Sequence, residues 1–268
     1  MSDFIDRESK DLERLILTFY LGANKGLTAK TNGLRKRIRR YIDGLSESEL
    51  SAAKRKARLK DVKFFERLFK GAFVPDKKTL GVIGSEYKRI FEASASSAAK
   101  EIGFLGKVIL TNKELLENLK ARVGTFPESS KHHFSDAIST IRKHFIENGE
   151  APYNSKFINE LRTKLNFQAR WDAVRFARTE TGVIGSGAQS EMFKRSGVDR
   201  KSWSNLSDAR DWHQNIDGPI PMDEPFIVDG EAMMHPHDPA GSARNIINCR
   251  CSLAPHPSKE IEEVWDGA

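Results

Sequence analysis

The sequence predicts an α+β fold: a mainly helical, basic N-terminal region followed by a small C-terminal module of short strands and ordered loops. Three observations predict it. Apolar residues recur at three- and four-residue spacings through much of the first 195 positions, which is helix periodicity. Six of the ten prolines, both cysteines and four of the seven histidines then crowd between Trp203 and His256, and prolines that dense forbid a long helix there. The charge divides at the same place. Residues 1–200 hold 39 Lys and Arg against 25 Asp and Glu, whereas residues 201–268 hold 5 against 12. The expected division is a helical, basic region at 1–153 and a second domain at 154–268.

The helices come in order along the chain. Phe4, Leu12, Leu15, Ile16, Phe19 and Tyr20 mark an amphipathic helix over 3–21. Gly22, Gly26 and Gly33 punctuate the next stretch, and a short basic helix is expected over Leu34–Ile42. Ser46 with Glu49 has the form of a capping box for a helix reaching Phe69, and Gly71 and Pro75 stop it. Helix resumes from Thr79 to Phe104. Its Ala/Ser-rich middle, Ala93–Ala99, reads as a helix with small residues, with close packing against another helix as the alternative. Further helices are expected at 112–123 and 129–148. A last long one starts near Asn154, carries Phe157, Leu161, Leu165, Phe167, Trp171, Val174 and Phe176, and runs past Gly182, Gly185 and Gly187 to about Arg195.

After Gly197 the period changes. Lys201–Asn205 reads as a short strand, and Phe226–Val228 and Ile246–Ile247 are short runs of strand-forming residues. Asp217-Gly218 and Asp229-Gly230 are turn signals. Trp203, Trp212 and Phe226 are the expected core of this module. The tail, 259–264, reads as one more helical turn.

Composition bounds the function. The start, MSDFIDRESK, lacks the basic and apolar regions of a signal peptide, and the longest apolar stretch, Leu15–Ala23, is far shorter than a membrane span. A soluble protein made in a cytoplasm is expected. Two cysteines in a C-x-C pair are not a secreted disulfide framework. Residues 25–70 hold 15 basic and 5 acidic side chains. Arg35, Lys36, Arg37, Arg39, Arg40, Lys54, Arg55, Lys56 and Arg58 are the candidates for contact with DNA phosphates. A solvated helix face is the other reading, since no aromatic platform or known DNA-reading motif accompanies the run.

His132, His133 and His144 read as surface histidines. Arg178-Thr179-Glu180 reads as an ion pair with the C-terminal module or a buried latch, in preference to a catalytic glutamate. His213, Asp217, His235, His237, Cys249 and Cys251 are nitrogen, oxygen and sulfur donors of the kind zinc takes. The C-x-C spacing is tighter than the usual zinc pair. The alternative is a module locked by hydrogen bonds from Asp208, Arg210, His213 and Asp217, with the cysteines structural. No P-loop, dinucleotide fingerprint or cysteine-hydrolase surrounding is present.

Taken together, several short motifs resemble those of a known family. Ala177–Glu180 reads A-R-T-E, and Gly197-Val198 precedes the Trp203 strand. Asp208, Arg210, His213, Asp217 and Gly218 form D-x-R-x-x-H-x-x-x-D-G. Pro221, Pro225 and Phe226 come next, and Asn248–Pro255 closes with N-C-R-C-x-L-x-P. In this order and spacing, over residues 168–256, the chain resembles the Mu F-like minor head proteins, or head morphogenesis proteins, of tailed bacteriophages. One loop departs from the pattern: MMHPHDPAGSA stands where the family carries a Pro-Gly-Asp type of turn. The resemblance therefore assigns no role to His235 and His237.

The resemblance implies a minor capsid protein of the virion, at the capsid interior or portal vertex. It would assemble in the host cytoplasm with portal protein and other head proteins, and act in head assembly and in DNA packaging or ejection. It implies no enzyme activity, no cofactor and no membrane partner, and its ordered residues carry over as Arg178, Glu180, Asp208, Arg210, His213, Asp217, Asn248, Cys249 and Cys251. The basic N-terminal region would meet the portal or packaged double-stranded DNA. The competing expectation is a metal-dependent hydrolase, with zinc held by His213, Asp217, His237, Cys249 and Cys251.

Overall fold

A computed structural model describes residues 2–42, 75–103 and 155–256. Helices and a few short antiparallel strands make up an α+β fold. The helices expected at 46–69, 112–123, 129–148 and 259–264, together with His132, His133 and His144, lie outside the described residues. Among the described residues no helix is long and apolar enough to cross a membrane. The chain divides into two compact units. Described residues of the first are 2–14, 81–103 and 174–256; those of the second are 15–42, 75–80 and 155–173.

Helix α1 (Ser2–Ile42) is continuous, which corrects the expected break after residue 21. An interior glycine costs a helix only about 1 kcal/mol, and the buried stripe runs on past Gly22. Leu12, Ile16, Tyr20, Asn24 and Thr28 recur at every fourth position, all buried. In the second unit Asn24 donates to the Leu165 carbonyl at 3.0 Å. Leu161, Leu165 and Ala169 are buried there. Phe167 and Trp171, expected on the apolar face, are instead 65 % exposed.

Helix α2 (Lys77–Glu101) begins two residues before its expected start. Asp76 explains this, because its carboxylate accepts the Thr79 N–H at 2.7 Å and holds the first turn. The same bond holds the Asp76 carboxyl below its ordinary value. Helix α3 (Ser155–Arg195) runs almost as its periodicity predicts. In the first unit the small-residue face of α2 does meet another helix. A Cβ on Gly185 of α3 would stand 3.1 Å from Ser94 Oγ, so small residues on both sides set the spacing.

The C-terminal module comes after α3. Strand β1 (Arg200–Ser204) lies between β2 (Ile220–Pro221) and β5 (Ser252–His256) in an antiparallel sheet of order β2-β1-β5. Trp203 pairs with Leu253 and Lys201 with Pro255. Strands β3 (Phe226–Val228) and β4 (Glu231–Met233) form a hairpin. Its two-residue turn is Asp229-Gly230, with φ of 50° and 81°. Two positive values in succession suit the tight hairpin turn that Asp-Gly favours. Short helical turns α4 (Asp211–Gln214) and α5 (Ala243–Ile246) complete the module. The second corrects the strand expected at Ile246–Ile247: the Ile246 and Ile247 amides bond back to the carbonyls of Ser242 and Ala243, leaving no edge for a ladder.

One core joins the module to the ends of α2 and α3. Ala98, Ile102, Phe193, Trp203, Phe226, Val228, Met233 and Leu253 are buried together with both cysteines. Trp203 meets Phe226 edge-on at 5.5 Å. Burying each large apolar side chain contributes about 1.5–3 kcal/mol. Trp212, expected in this core, is half-buried and packs against its rim.

Candidate functional site

The motif residues converge from two stretches some 35 positions apart. Turn α4 is closed by the His213 amide bonding to the Arg210 carbonyl at 2.8 Å, and this carries His213 into the core. On the other side, α5 ends and Asn248 takes a left-handed backbone, φ 59°, a conformation asparagine tolerates better than most residues. The chain thereby reverses and presents Cys249 and Cys251 to His213. His213 Nδ1 lies 3.6 Å from Cys249 Sγ and 3.5 Å from Cys251 Sγ. All three residues are buried.

Asn245 orients this imidazole. Its Nδ2 donates to the Val228 carbonyl at 3.3 Å and to Glu231 Oε2 at 2.8 Å. Its Oδ1 therefore accepts, from Trp212 Nε1 at 2.8 Å and from His213 Nε2 at 3.3 Å. Nε2 of His213 must then carry the proton, and the Nδ1 lone pair faces the two sulfurs. The bonds from Ser242 and Asn245 hold the Glu231 carboxyl below its ordinary value.

The two thiols act as a pair. The hydrogen bond from Cys251 lowers Cys249 well below an ordinary thiol and pushes Cys251 upward. The Cys251 backbone N–H also donates to Cys249 Sγ at 3.4 Å. These residues face a cleft of about 230 Å³. Asp208 and Arg250 form an ion pair at its rim, and Arg210 donates to the Ile247 carbonyl.

Two expected members of the site lie elsewhere. Asp217 is exposed, makes no hydrogen bond among the described residues and is not in the cluster. His213 is already drawn inward by Asn245, and the chain beyond α4 leaves the core. His237 is fully buried, but against α3. Its Nε2–H donates to the Cys249 carbonyl at 2.7 Å, so its Nδ1 accepts from the Ser186 hydroxyl at 3.3 Å. With both ring nitrogens engaged it is a latch between helix and loop, not a ligand. His235 donates Nδ1–H to the Pro236 carbonyl at 2.9 Å, and burial holds it below its ordinary value.

Gly182 makes the latch possible. A Cβ there would fall 2.5 Å from His237 Nε2, and a ring held at both nitrogens cannot step aside. Gly182→Ala is therefore expected to cost about 1–3 kcal/mol, the usual penalty of overpacking. Gly187→Ala, with nothing within 4 Å of the added carbon, should be neutral or slightly stabilising. Calorimetric melting of the two variants checks this; equal melting temperatures would remove the latch.

The A-R-T-E residues divide their contacts, correcting the expected ion pair with the module. Arg178 Nε pairs with Asp6 of α1 at 3.0 Å. Glu180 is buried and accepts from Tyr87 Oη of α2 at 3.0 Å. Thr179, between them, is the one that meets the module, its Oγ1 accepting the Asn248 N–H at 3.1 Å. Of the basic candidates, Arg35, Lys36, Arg37, Arg39 and Arg40 fall on the C-terminal part of α1, where only the backbone is described. Lys54, Arg55, Lys56 and Arg58 lie outside the described residues.

Asn245 and Glu231 are the site's unforeseen members, and Ser186, Gly182 and Lys201 are unforeseen polar or close-contact positions in the core around it. Lys201 had a readable signal: it shares a strand face with Trp203, two residues on. Its Nζ is buried, donates to the Met234 carbonyl at 2.7 Å and lies 5.2 Å from the centre of the Phe226 ring.

The chain is similar to uncharacterized protein YqbB of Bacillus subtilis strain 168, with 26 % identity over 242 residues, covering 85 % of this chain and 76 % of the relative. No family model matches the chain, and no solved structure does.

Proposed function

We propose that this chain is a minor head protein of a tailed bacteriophage, Mu F-like in its second half, that joins the portal vertex during head assembly. The observation that carries the reading is the convergence of the resembling motifs. D-x-R-x-x-H and N-C-R-C are distant in sequence, yet His213 meets both cysteines and Asp208 meets Arg250. Their order along the chain thus corresponds to one folded unit, as a domain motif requires. Thr179 of the A-R-T-E segment is tied to the same unit through Asn248. The basic residues between 25 and 70 are the ones assigned to the portal or to packaged DNA in this reading.

The test is mass spectrometry of purified virions and procapsids, with crosslinking. The expected result is a few copies per particle, crosslinked to portal protein through lysines of the basic region. Absence from both particles overturns the reading.

A further inference from the structure

We propose that His213 Nδ1 and the sulfurs of Cys249 and Cys251 bind one zinc ion, with the fourth position of the metal open to the cleft between Asp208 and Arg210. The inference does not rest on the head-protein reading, and it departs from the five-ligand hydrolase set by omitting Asp217 and His237.

The spacing is that of a coordination shell. Zinc takes sulfur at about 2.3 Å and nitrogen at about 2.0–2.1 Å in tetrahedral geometry, which separates the two kinds of donor by about 3.6 Å. The nitrogen-to-sulfur separations here are 3.6 Å and 3.5 Å, and the three donor atoms all lie within 4.8 Å of one another. Hydrogen bonding joins these three groups only as a chain, from Cys251 to Cys249 and from one thiol to the imidazole. Nδ1 has one lone pair, and two sulfurs face it, so at most one S–H can donate to it. A cation engages all three at once.

The surroundings are those of ligands held in place. A metal-bound histidine usually donates its second nitrogen to an acceptor that fixes tautomer and ring direction. His213 does so to Asn245, which Glu231 and the Val228 carbonyl hold in turn. The backbone N–H of Cys251 on Cys249 Sγ supports a thiolate. Two thiolates and an imidazole select a borderline-soft ion over magnesium or calcium, which take oxygen. The C-x-C spacing is too short for a cysteine pair that must supply a closed site alone. Here His213 comes from α4 as the third ligand, and the left-handed turn at Asn248 brings the pair to it. Three protein ligands beside a cleft leave room for a water as the fourth.

The chain holds only two cysteines, which makes cobalt a direct probe. The full-length chain, reduced and stripped with a chelator, is titrated with cobalt(II) and then zinc. One cobalt per chain is expected, with a thiolate-to-metal charge-transfer band that zinc abolishes. Cys249→Ser and Cys251→Ser should each halve that band per cobalt bound. His213→Gln should weaken zinc binding at least tenfold, and Asp217→Asn should leave it unchanged. Where a variant does not fold, alkylation of the wild-type thiols decides: zinc should protect both cysteines. A folded wild-type chain that takes up neither ion, a cobalt spectrum without the charge-transfer band, or thiols equally reactive with and without zinc overturns the site.

Discussion

Asn245→Ala is expected to lower the unfolding free energy by about 3 kcal/mol, because each buried polar group left without a partner costs about 1–3 kcal/mol. The side chain is buried and makes four hydrogen bonds, to Trp212, His213, Val228 and Glu231. Truncation strands the His213 Nε2–H in the core and takes from the Val228 carbonyl one of its partners, the hairpin pairing with Glu231 remaining. Glu231 and Trp212 are nearer water and recover part of their loss. Urea unfolding monitored by tryptophan fluorescence measures the effect, with an unchanged denaturant slope showing that the loss is one of stability. A loss under about 1 kcal/mol would mean that water or a rearranged loop replaces the side chain. Second-sphere partners of a metal-bound histidine typically change affinity about 10–100-fold. The same variant should therefore also weaken cobalt binding if His213 is a ligand.

The second large effect concerns Lys201. Burial of its amine, reinforced by Lys194 and partly offset by Asp223 and Asp238, lowers its pKa from the ordinary 10.5 to about 8. Below pH 8 the lysine is charged in both folded and unfolded chains, and the folded state bears the cost of enclosing that charge. Between about 8 and 10.5 the unfolded chain keeps a proton that the folded chain has released, so stability rises with pH across this window. A drop of that size corresponds to about 3 kcal/mol. Lys201→Met lacks the group. The wild type should gain about 3 kcal/mol relative to the variant between pH 7.5 and pH 10.5, read as the difference between their unfolding free energies. A pH-independent difference would show that the amine reaches water.

Much of this fold was legible in the sequence. Helix α3, strand β1 and the Asp229-Gly230 hairpin are written in local signals: apolar period, strand-forming residues and a turn dipeptide. The unbroken α1 was not, because a glycine's propensity is local while the buried stripe that overrides it depends on tertiary partners such as Leu165. Ile246–Ile247 misled for a similar reason, since strand-forming side chains do not reveal that the backbone bonds back on itself.

At the site, ordered motifs identified His213, Cys249 and Cys251 as a group. Asp217 and His237 were chemically equivalent candidates until the backbone separated them. Nothing in the spacing announces that the chain leaves the core after α4, or that Gly182 vacates room on α3 for the His237 ring. Asn245 was invisible because a buried asparagine is defined by its four partners, which come from three other segments. The A-R-T-E residues were read as an ion pair with the module or a buried latch, whereas a helix distributes successive side chains around its axis.

That distribution has a mechanical consequence. Successive residues of a helix are set about 100° apart around its circumference, since 3.6 residues complete a turn. Arg178, Thr179 and Glu180 therefore sweep more than half of it, and each grips a different segment: α1 through Asp6, the cysteine loop through Asn248 and α2 through Tyr87. No rotation of α3 at this point can improve one grip without loosening another. The three residues act as a rotational stop that fixes the azimuth of the helix, and with it the bearing of Gly182 and Ser186 toward His237, one and two turns further on.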